Sequence, residues 1–252
     1  MNKIILITGA TSGIGKATAL KFASEGFNLI ITGRRSELLK KLENELVEKY
    51  KIEVLSLNFD IRNLEEVNKA INSLPDNWKN IDILLNNAGL AAGLSTIQEG
   101  NIDDWERMID TNIKGLLYIT KAVSPLMIKR GKGHIVNIGS IAGKEVYANG
   151  NVYCATKHAV DALNKAMRID MLPYNIKVTQ IAPGAAETEF SLVRFHGDTK
   201  KAESVYTGYK PLSGNDIADT IWYVCSLPEH VNINDLIIVP IAQASTGYFY
   251  KK

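Results

Sequence analysis

The chain has 252 residues, 46% of them hydrophobic, with 29 lysines and arginines against 27 aspartates and glutamates. That length can bury one large α/β core, and a scattered, nearly balanced charge argues against nucleic acid or an acidic surface as partner. Two cysteines without metal-ligand spacing exclude a disulfide framework and point to a reducing, cytoplasmic setting.

The first apolar run, Ile4–Thr8, is too short for a membrane span or a signal segment and reads as a buried strand. It leads into Gly9-Ala10-Thr11-Ser12-Gly13-Ile14-Gly15 and then a helix over Gly15–Glu25. Glycines here let backbone N–H groups approach a pyrophosphate at the helix N-terminus, although such a turn can also be merely tight. The spacing departs from G-x-G-x-x-G and lacks the Gly-Lys-Ser/Thr ending of a P-loop, which disfavours ATP hydrolysis. A strand over Asn28–Thr32 follows, then Gly33-Arg34-Arg35. No acid stands where one would bond the ribose of NAD. Arg34 and Arg35 instead offer forked donors to a 2′-phosphate, which predicts NADP over NAD, the other reading being two solvated arginines.

Helix Ser36–Lys49, with Ser36 as N-cap, precedes strand Glu53–Asn58, after which Asp60 and Ile61 either border an adenine or, for Asp60, cap a loop. Helix Leu64–Ser73 and strand Ile81–Asn86 lead to Asn87-Ala88-Gly89. A long helix over Ile102–Ile128 has Asn112 in its interior, where asparagine competes for backbone bonds and a local kink is expected. Strand His134–Ile138 precedes Ser140, and helix Val152–Leu172 carries Tyr153 and Lys157. After strand Lys177–Ile181 and Pro183-Gly184, the polar and aromatic stretch 185–212 exceeds an ordinary connection and reads as a lid. Helix Asn215–Ser226, capped by Asn215, and strand Leu236–Pro240 complete the alternation. Seven strands and six helices without repeat or linker predict one domain over 1–252, a doubly wound, seven-stranded parallel sheet.

Tyr153 and Lys157 stand four residues apart and share a helical face. A cation near a phenol favours phenolate and brings it towards acid–base use, with Ser140 holding the oxygen on which the proton moves. A surface Tyr/Lys pair has the same spacing. The four histidines lack zinc-like spacing, and no metal is expected. Cys154 reads as a small core side chain, and Trp78, Trp105 and Trp222 as packing or interface anchors.

The glycines at 9, 13 and 15, Asn87-Ala88-Gly89, Asn112, Ser140, Tyr153/Lys157 and Pro183-Gly184 occur in that order, and together the chain resembles a short-chain dehydrogenase/reductase from end to end. The resemblance implies a Rossmann fold, a nicotinamide cofactor and hydride transfer between an alcohol and a carbonyl. It implies Tyr153 as acid–base group, Lys157 lowering its pKa and holding the nicotinamide ribose, Ser140 on the substrate oxygen, and Asn112 supporting a relay water. Asn87, Ala88 and Gly89 would line the adenine-ribose side, and Pro183, Gly184 and Thr188 the cofactor farther along.

The stretch Glu187–Asp198 and the late Leu227-Pro228-Glu229-His230-Val231-Asn232-Ile233-Asn234 are similar to the NADP-dependent 3-hydroxy acid dehydrogenase subgroup, which includes L-allo-threonine and serine dehydrogenases. That likeness implies small 3-hydroxy acids as substrates and a homotetramer. Arg194 is the candidate for the substrate carboxylate, the alternative being an ion pair with Glu187, Glu189 or Asp198. Gln243 reaches either the pocket or a neighbouring subunit, and Tyr248, Phe249 and Tyr250 suggest subunit contacts. A reductase of ketones or carrier-bound 3-oxoacyl chains, and a non-catalytic nucleotide sensor, are the competing readings.

Overall fold

The computed structural model describes residues 2–252. Along the chain, β1 (Ile4–Ile7), α1 (Gly13–Ser24), β2 (Asn28–Gly33), α2 (Ser36–Tyr50), β3 (Val54–Asn58) and α3 (Leu64–Asn72) form the first half. Then come β4 (Ile81–Asn86), α4 (Ile102–Ile109), a π-helical turn at Asp110–Gly115, α5 (Leu116–Arg130), β5 (Gly133–Ile138), α6 (Asn151–Met171) and β6 (Ile176–Pro183). The last part holds β7 (Ala186–Glu187), α7 (Glu189–Arg194), α8 (Thr199–Ser204), β8 (Leu212–Ser213), α9 (Gly214–Ser226) and β9 (Asp235–Ile238). The main sheet is parallel throughout, in the order β3-β2-β1-β4-β5-β6-β9. The chain's winding therefore reverses between β1 and β4, and the carboxyl ends of the strands open onto one crevice.

All four side chains of β1 are buried, and their alternation divides the core into two layers. Ile5 and Ile7 pack with Phe22, Leu29 and Ile217 on one face, while Ile4 and Leu6 pack with Leu84, Val123 and Val178 on the other. Phe22, Phe27 and Trp222 meet edge to face with centroids 5.1–5.8 Å apart and clamp α1 to α9, so Trp222 is a packing anchor. Trp78 is buried in the second layer.

Several boundaries differ from the sequence-based expectation. The predicted helix Ile102–Ile128 is interrupted, because the Asn112 amide donates to Leu90 O at 2.8 Å and Thr156 Oγ1 at 3.0 Å while its oxygen accepts from Leu90 N at 2.9 Å. An asparagine pulled into those bonds widens the turn from i→i+4 to a π turn. Ser36 is the first residue of α2 rather than its cap, and it makes no cap bond. Ser213, not Asn215, caps α9 in a capping box: its hydroxyl accepts from Asp216 N at 3.3 Å and its N–H donates to Asp216 Oδ2 at 2.7 Å. The reciprocal bond needs an acid three residues on, which Asn215 lacks. The stretch 185–212 folds into α7 and α8, bracketed by the parallel pair β7/β8.

A buried polar ladder crosses the second core layer. The Asn86 amide donates to Thr120 Oγ1 at 2.9 Å and to Asn137 Oδ1 at 2.8 Å, and the Asn137 amide donates to Asn164 Oδ1 at 2.9 Å. It fixes α6 on β5, and hence Tyr153 and Lys157 relative to Ser140. Asn137→Ala leaves two buried amides short of partners and is expected to lower stability by roughly 2–4 kcal/mol in urea unfolding; a loss under about 0.5 kcal/mol would make the ladder dispensable.

Candidate functional site

The glycine turn is built by close approach. Gly9 has φ +67°, and a Cβ on Gly15 would lie 2.3 Å from Gly9 O and 2.5 Å from Asn87 Nδ2. The Asn87 amide donates to Thr8 O at 2.8 Å and Gly9 O at 3.1 Å, so the turn is laced to the end of β4. The Ser12 side chain makes no cap bond at α1, which leaves first-turn N–H groups facing the crevice.

At the end of β2, both arginines already sit among anionic or polar groups. Arg35 donates to Thr11 Oγ1 from Nε at 3.1 Å and Nη2 at 2.9 Å, and its Nη1 pairs with Glu189 at 3.0 Å. Arg34 lies 3.8 Å from Asp60. Burial pushes the Asp60 carboxyl up, but hydrogen bonds and charge from Arg62 outweigh it and hold the group below the usual carboxylate range. Asp60 also accepts from Arg62 N at 3.0 Å, so it organises its own loop while lining the crevice.

The crevice holds about 550 Å³ and touches every residue expected from the sequence except Gly15 and Asn112. Those two support its floor from beneath. Ser140 follows β5, its Oγ accepting from Ala142 N at 3.1 Å and donating to Pro183 O at 3.3 Å. Tyr153 and Lys157 project from α6 and are both buried. Lys157 Nζ donates to Ile138 O at 2.9 Å and lies 6.0 Å from the Tyr153 ring centroid. Burial pushes the Tyr153 phenol up, while the Arg194 charge and the Ser140 hydroxyl pull against that rise.

The cation nearest the Tyr153 ring is Arg194, whose guanidinium carbon is 4.9 Å from the centroid. It is also 5.1 Å from the Phe190 ring, and Nη2 donates to Tyr147 Oη at 2.8 Å. The expected ion-pair alternative for Arg194 does not form: Glu189 pairs with Arg35 and Asp198 with Lys201, and no carboxylate among the described residues pairs with Arg194. Its Nε is buried without a partner. Gln243 lies in the wall, where Oε1 accepts from Ala185 N at 2.8 Å. Phe249 packs on Tyr209 at 5.0 Å and lines the rim, while Tyr248 and Tyr250 are exposed.

Tyr147 and Phe190 escaped sequence reading. Tyr147 lies outside any periodic segment, and Phe190 reads as an ordinary aromatic of a loop. Among the described residues, no helix is long and apolar enough to cross a membrane, and no cluster of three His, Cys, Asp or Glu side chains is arranged to hold a metal.

Residues 3–197 match the family model described as short chain dehydrogenase. NADP-dependent 3-hydroxy acid dehydrogenase YdfG of Salmonella typhi is 46% identical over 245 residues, covering 97% of each chain. Serine 3-dehydrogenase of Agrobacterium fabrum is 44% identical over 248 residues, 98% of each chain. Among solved structures, the closed form of serine dehydrogenase complexed with NADP+ superposes with a TM-score of 0.92 at 45% identity, covering 99% of both chains.

Burial pushes Lys157 down from 10.5 to about 8. Above that value the folded protein has shed a proton that the unfolded chain keeps, so this group's contribution to stability rises with pH. The buried thiol of Cys225 and phenol of Tyr153 are pushed the other way, and their contribution cancels on comparison with a Lys157→Met variant. Relative to that variant, the ligand-free wild type is expected to gain about 2 kcal/mol between pH ~8 and ~10 in urea unfolding; parallel curves would contradict the shift.

Proposed function

The chain belongs to the short-chain dehydrogenase family, and we propose that it transfers a hydride between NADP(H) and small 3-hydroxy acids or the matching 3-oxo acids. Serine, allo-threonine and 3-hydroxypropionate are substrates of the size and chemistry meant. One observation carries the reading: a buried phenol, Tyr153, with a guanidinium 4.9 Å from its ring that has no carboxylate partner. An acid–base group beside an unanswered cation suits a molecule carrying a hydroxyl and a carboxylate a few bonds apart.

The residues fit the cofactor. The uncapped N-terminus of α1 and the close turn around Gly15 suit a pyrophosphate held by Gly9, Thr11, Ser12, Gly13 and Ile14. Arg34 and Arg35 each face a carboxylate that a 2′-phosphate can replace, and no acid at the end of β2 opposes one. Asp60, Ile61, Asn87, Ala88 and Gly89 border the adenosine half, and Lys157, Pro183, Gly184 and Thr188 the nicotinamide half. NADP, when bound, would supply the acceptor for the hydride of the carbinol carbon.

Tyr153 Oη takes the hydroxyl proton in oxidation and returns it in reduction. Ser140 Oγ, fixed by Ala142 N and Pro183 O, holds the substrate oxygen against the phenol. Lys157 holds the cofactor ribose and favours the phenolate, and Asn112 supports the water through which the proton leaves. Residues 185–212 act as a lid, and Arg194 on it grips the substrate carboxylate. We place the enzyme in the cytoplasm, in keeping with free Cys154 and Cys225, and as a homotetramer, for which exposed Ile169 and Leu172 at the end of α6 and Ile241 after β9 supply apolar contact surface.

A panel of serine, allo-threonine, 3-hydroxyisobutyrate, 3-hydroxypropionate, neutral alcohols and an acyl-carrier thioester, followed by NADPH absorbance, tests the substrate class. Highest kcat/KM on a neutral alcohol or the thioester would overturn it. Tyr153→Phe is expected to lose turnover by about 10²-fold or more while still binding NADP. Arg194→Ala is expected to lose about 10²-fold on the acids and much less on neutral alcohols, since removing one desolvated charge-assisted pair costs a few kcal/mol. Equal losses would remove the carboxylate role.

A further inference from the structure

We infer that Arg194 has a role beyond gripping a carboxylate: stacked on the Tyr153 ring, its guanidinium is a second cation for the catalytic phenol, so the lid that carries it sets the strength of the base. This rests on Tyr153 being the acid–base group and is independent of what the substrate carries.

The geometry is specific. The guanidinium is held over the ring by Tyr147 Oη at one end, while the Arg194 carbonyl accepts from Gly93 N at 2.9 Å. Two residues on, His196 Nε2 is 3.1 Å from Asp104 Oδ2, which ties the end of α7 to α4. The lid thus seats one charge against one ring.

The groups facing the phenol come from four places. Helix α6 supplies Lys157 and the Cys154 thiol, the loop before it Tyr147, the turn after β5 the Ser140 hydroxyl, and the lid Arg194. On the lid, Glu189 is engaged with Arg35 and Asp198 with Lys201, and Asp104 on α4 is engaged with His196. Burial pushes the Tyr147 phenol and the Cys154 thiol up, so neither brings a charge at working pH. Two cations remain, Lys157 and Arg194. Burial holds Lys157 at about 8, so it discharges in the alkaline range where alcohol oxidation needs phenolate. A guanidinium keeps its charge there. With the lid seated, the proton leaves Tyr153 more readily; with the lid lifted, the buried phenol keeps it.

The test uses the holoenzyme with saturating NADP and the uncharged methyl ester of 3-hydroxypropionate, so that carboxylate binding plays no part. In the pH profile of kcat, the limb reporting the base is expected to move up by about one unit in Arg194→Gln, with Arg194→Lys in between. A difference titration of phenolate absorbance against Tyr153→Phe, in wild-type and Arg194→Gln backgrounds, reads the same shift without turnover. A limb and a titration both unmoved in Arg194→Gln would overturn the proposal, even if that variant loses affinity for acids. Turnover surviving in Tyr153→Phe would instead overturn the acid–base reading beneath it.

Discussion

Thr8 joins the two halves of the sheet at the place where the winding reverses. Its hydroxyl donates to Leu85 O at 3.1 Å and accepts from Asn87 N and Ala88 N, both at 3.0 Å. Asn87 returns the contact through its amide to Thr8 O and Gly9 O. The glycine turn and the end of β4 are therefore one hydrogen-bonded unit, and Gly15 of α1 packs directly against it. The rest of the crevice is hung from this seam: β5 registers on β4 and β6 on β5, and the Asn86–Asn137–Asn164 ladder carries that register into α6. A network of this kind, satisfied at nearly every atom, positions its members more tightly than apolar packing alone.

The site's electrostatics run against the solvent-exposed values of the groups that make it. Burial opposes charge on both Tyr153 and Lys157, and it pushes the two in opposite directions, the phenol up and the ammonium down. Such a pair is idle until something charged arrives. The Rossmann crevice supplies the cofactor end of that charge, and α7 supplies the other. Around these, Lys144 bridges Asp161 on α6 and Asp235 on β9, with Gln180 donating to both acids at 3.0 and 3.1 Å. That cluster ties the turn after Ser140 to the helix bearing Tyr153, so the hydroxyl and the phenol cannot drift apart independently.

The alternation of strands and helices was legible because parallel strands covered on both faces carry near-continuous apolar runs, as Ile4–Ile7 and the Ile83–Leu85 stretch of β4 do. The crevice residues were legible where chemistry imposes spacing, as with Tyr153 and Lys157 on one helical face. What escaped was governed by partners distant in sequence. A disturbance at Asn112 is expected from the residue type, but its form as a π turn follows from Leu90 and Thr156 claiming its amide, and neither lies near it in the chain. The cap of α9 was misassigned because Ser213 and Asn215 are both good capping residues and only the acid at 216 discriminates between them. Tyr147 carries no signal in the sequence, since an isolated loop tyrosine has no period, and its place in the site is set by its hydrogen bond to Arg194.

The tail has a consequence for handling the protein. Phe249 lies on Tyr209, Lys252 N donates to Gly208 O at 2.9 Å, and Tyr250 N donates to Ala242 O at 2.9 Å. The C-terminal residues thus form part of the rim of the crevice, against the segment that carries Arg194. Asn2 and Lys3, ahead of β1, lie at the amino ends of the strands, at the opposite end of the sheet from the crevice. A reporter, affinity handle or immobilising linker fused after Lys252 would crowd the entrance, whereas one fused ahead of Asn2 would point away from it. Comparing enzyme tethered by each end would therefore separate access to the crevice from the chemistry inside it.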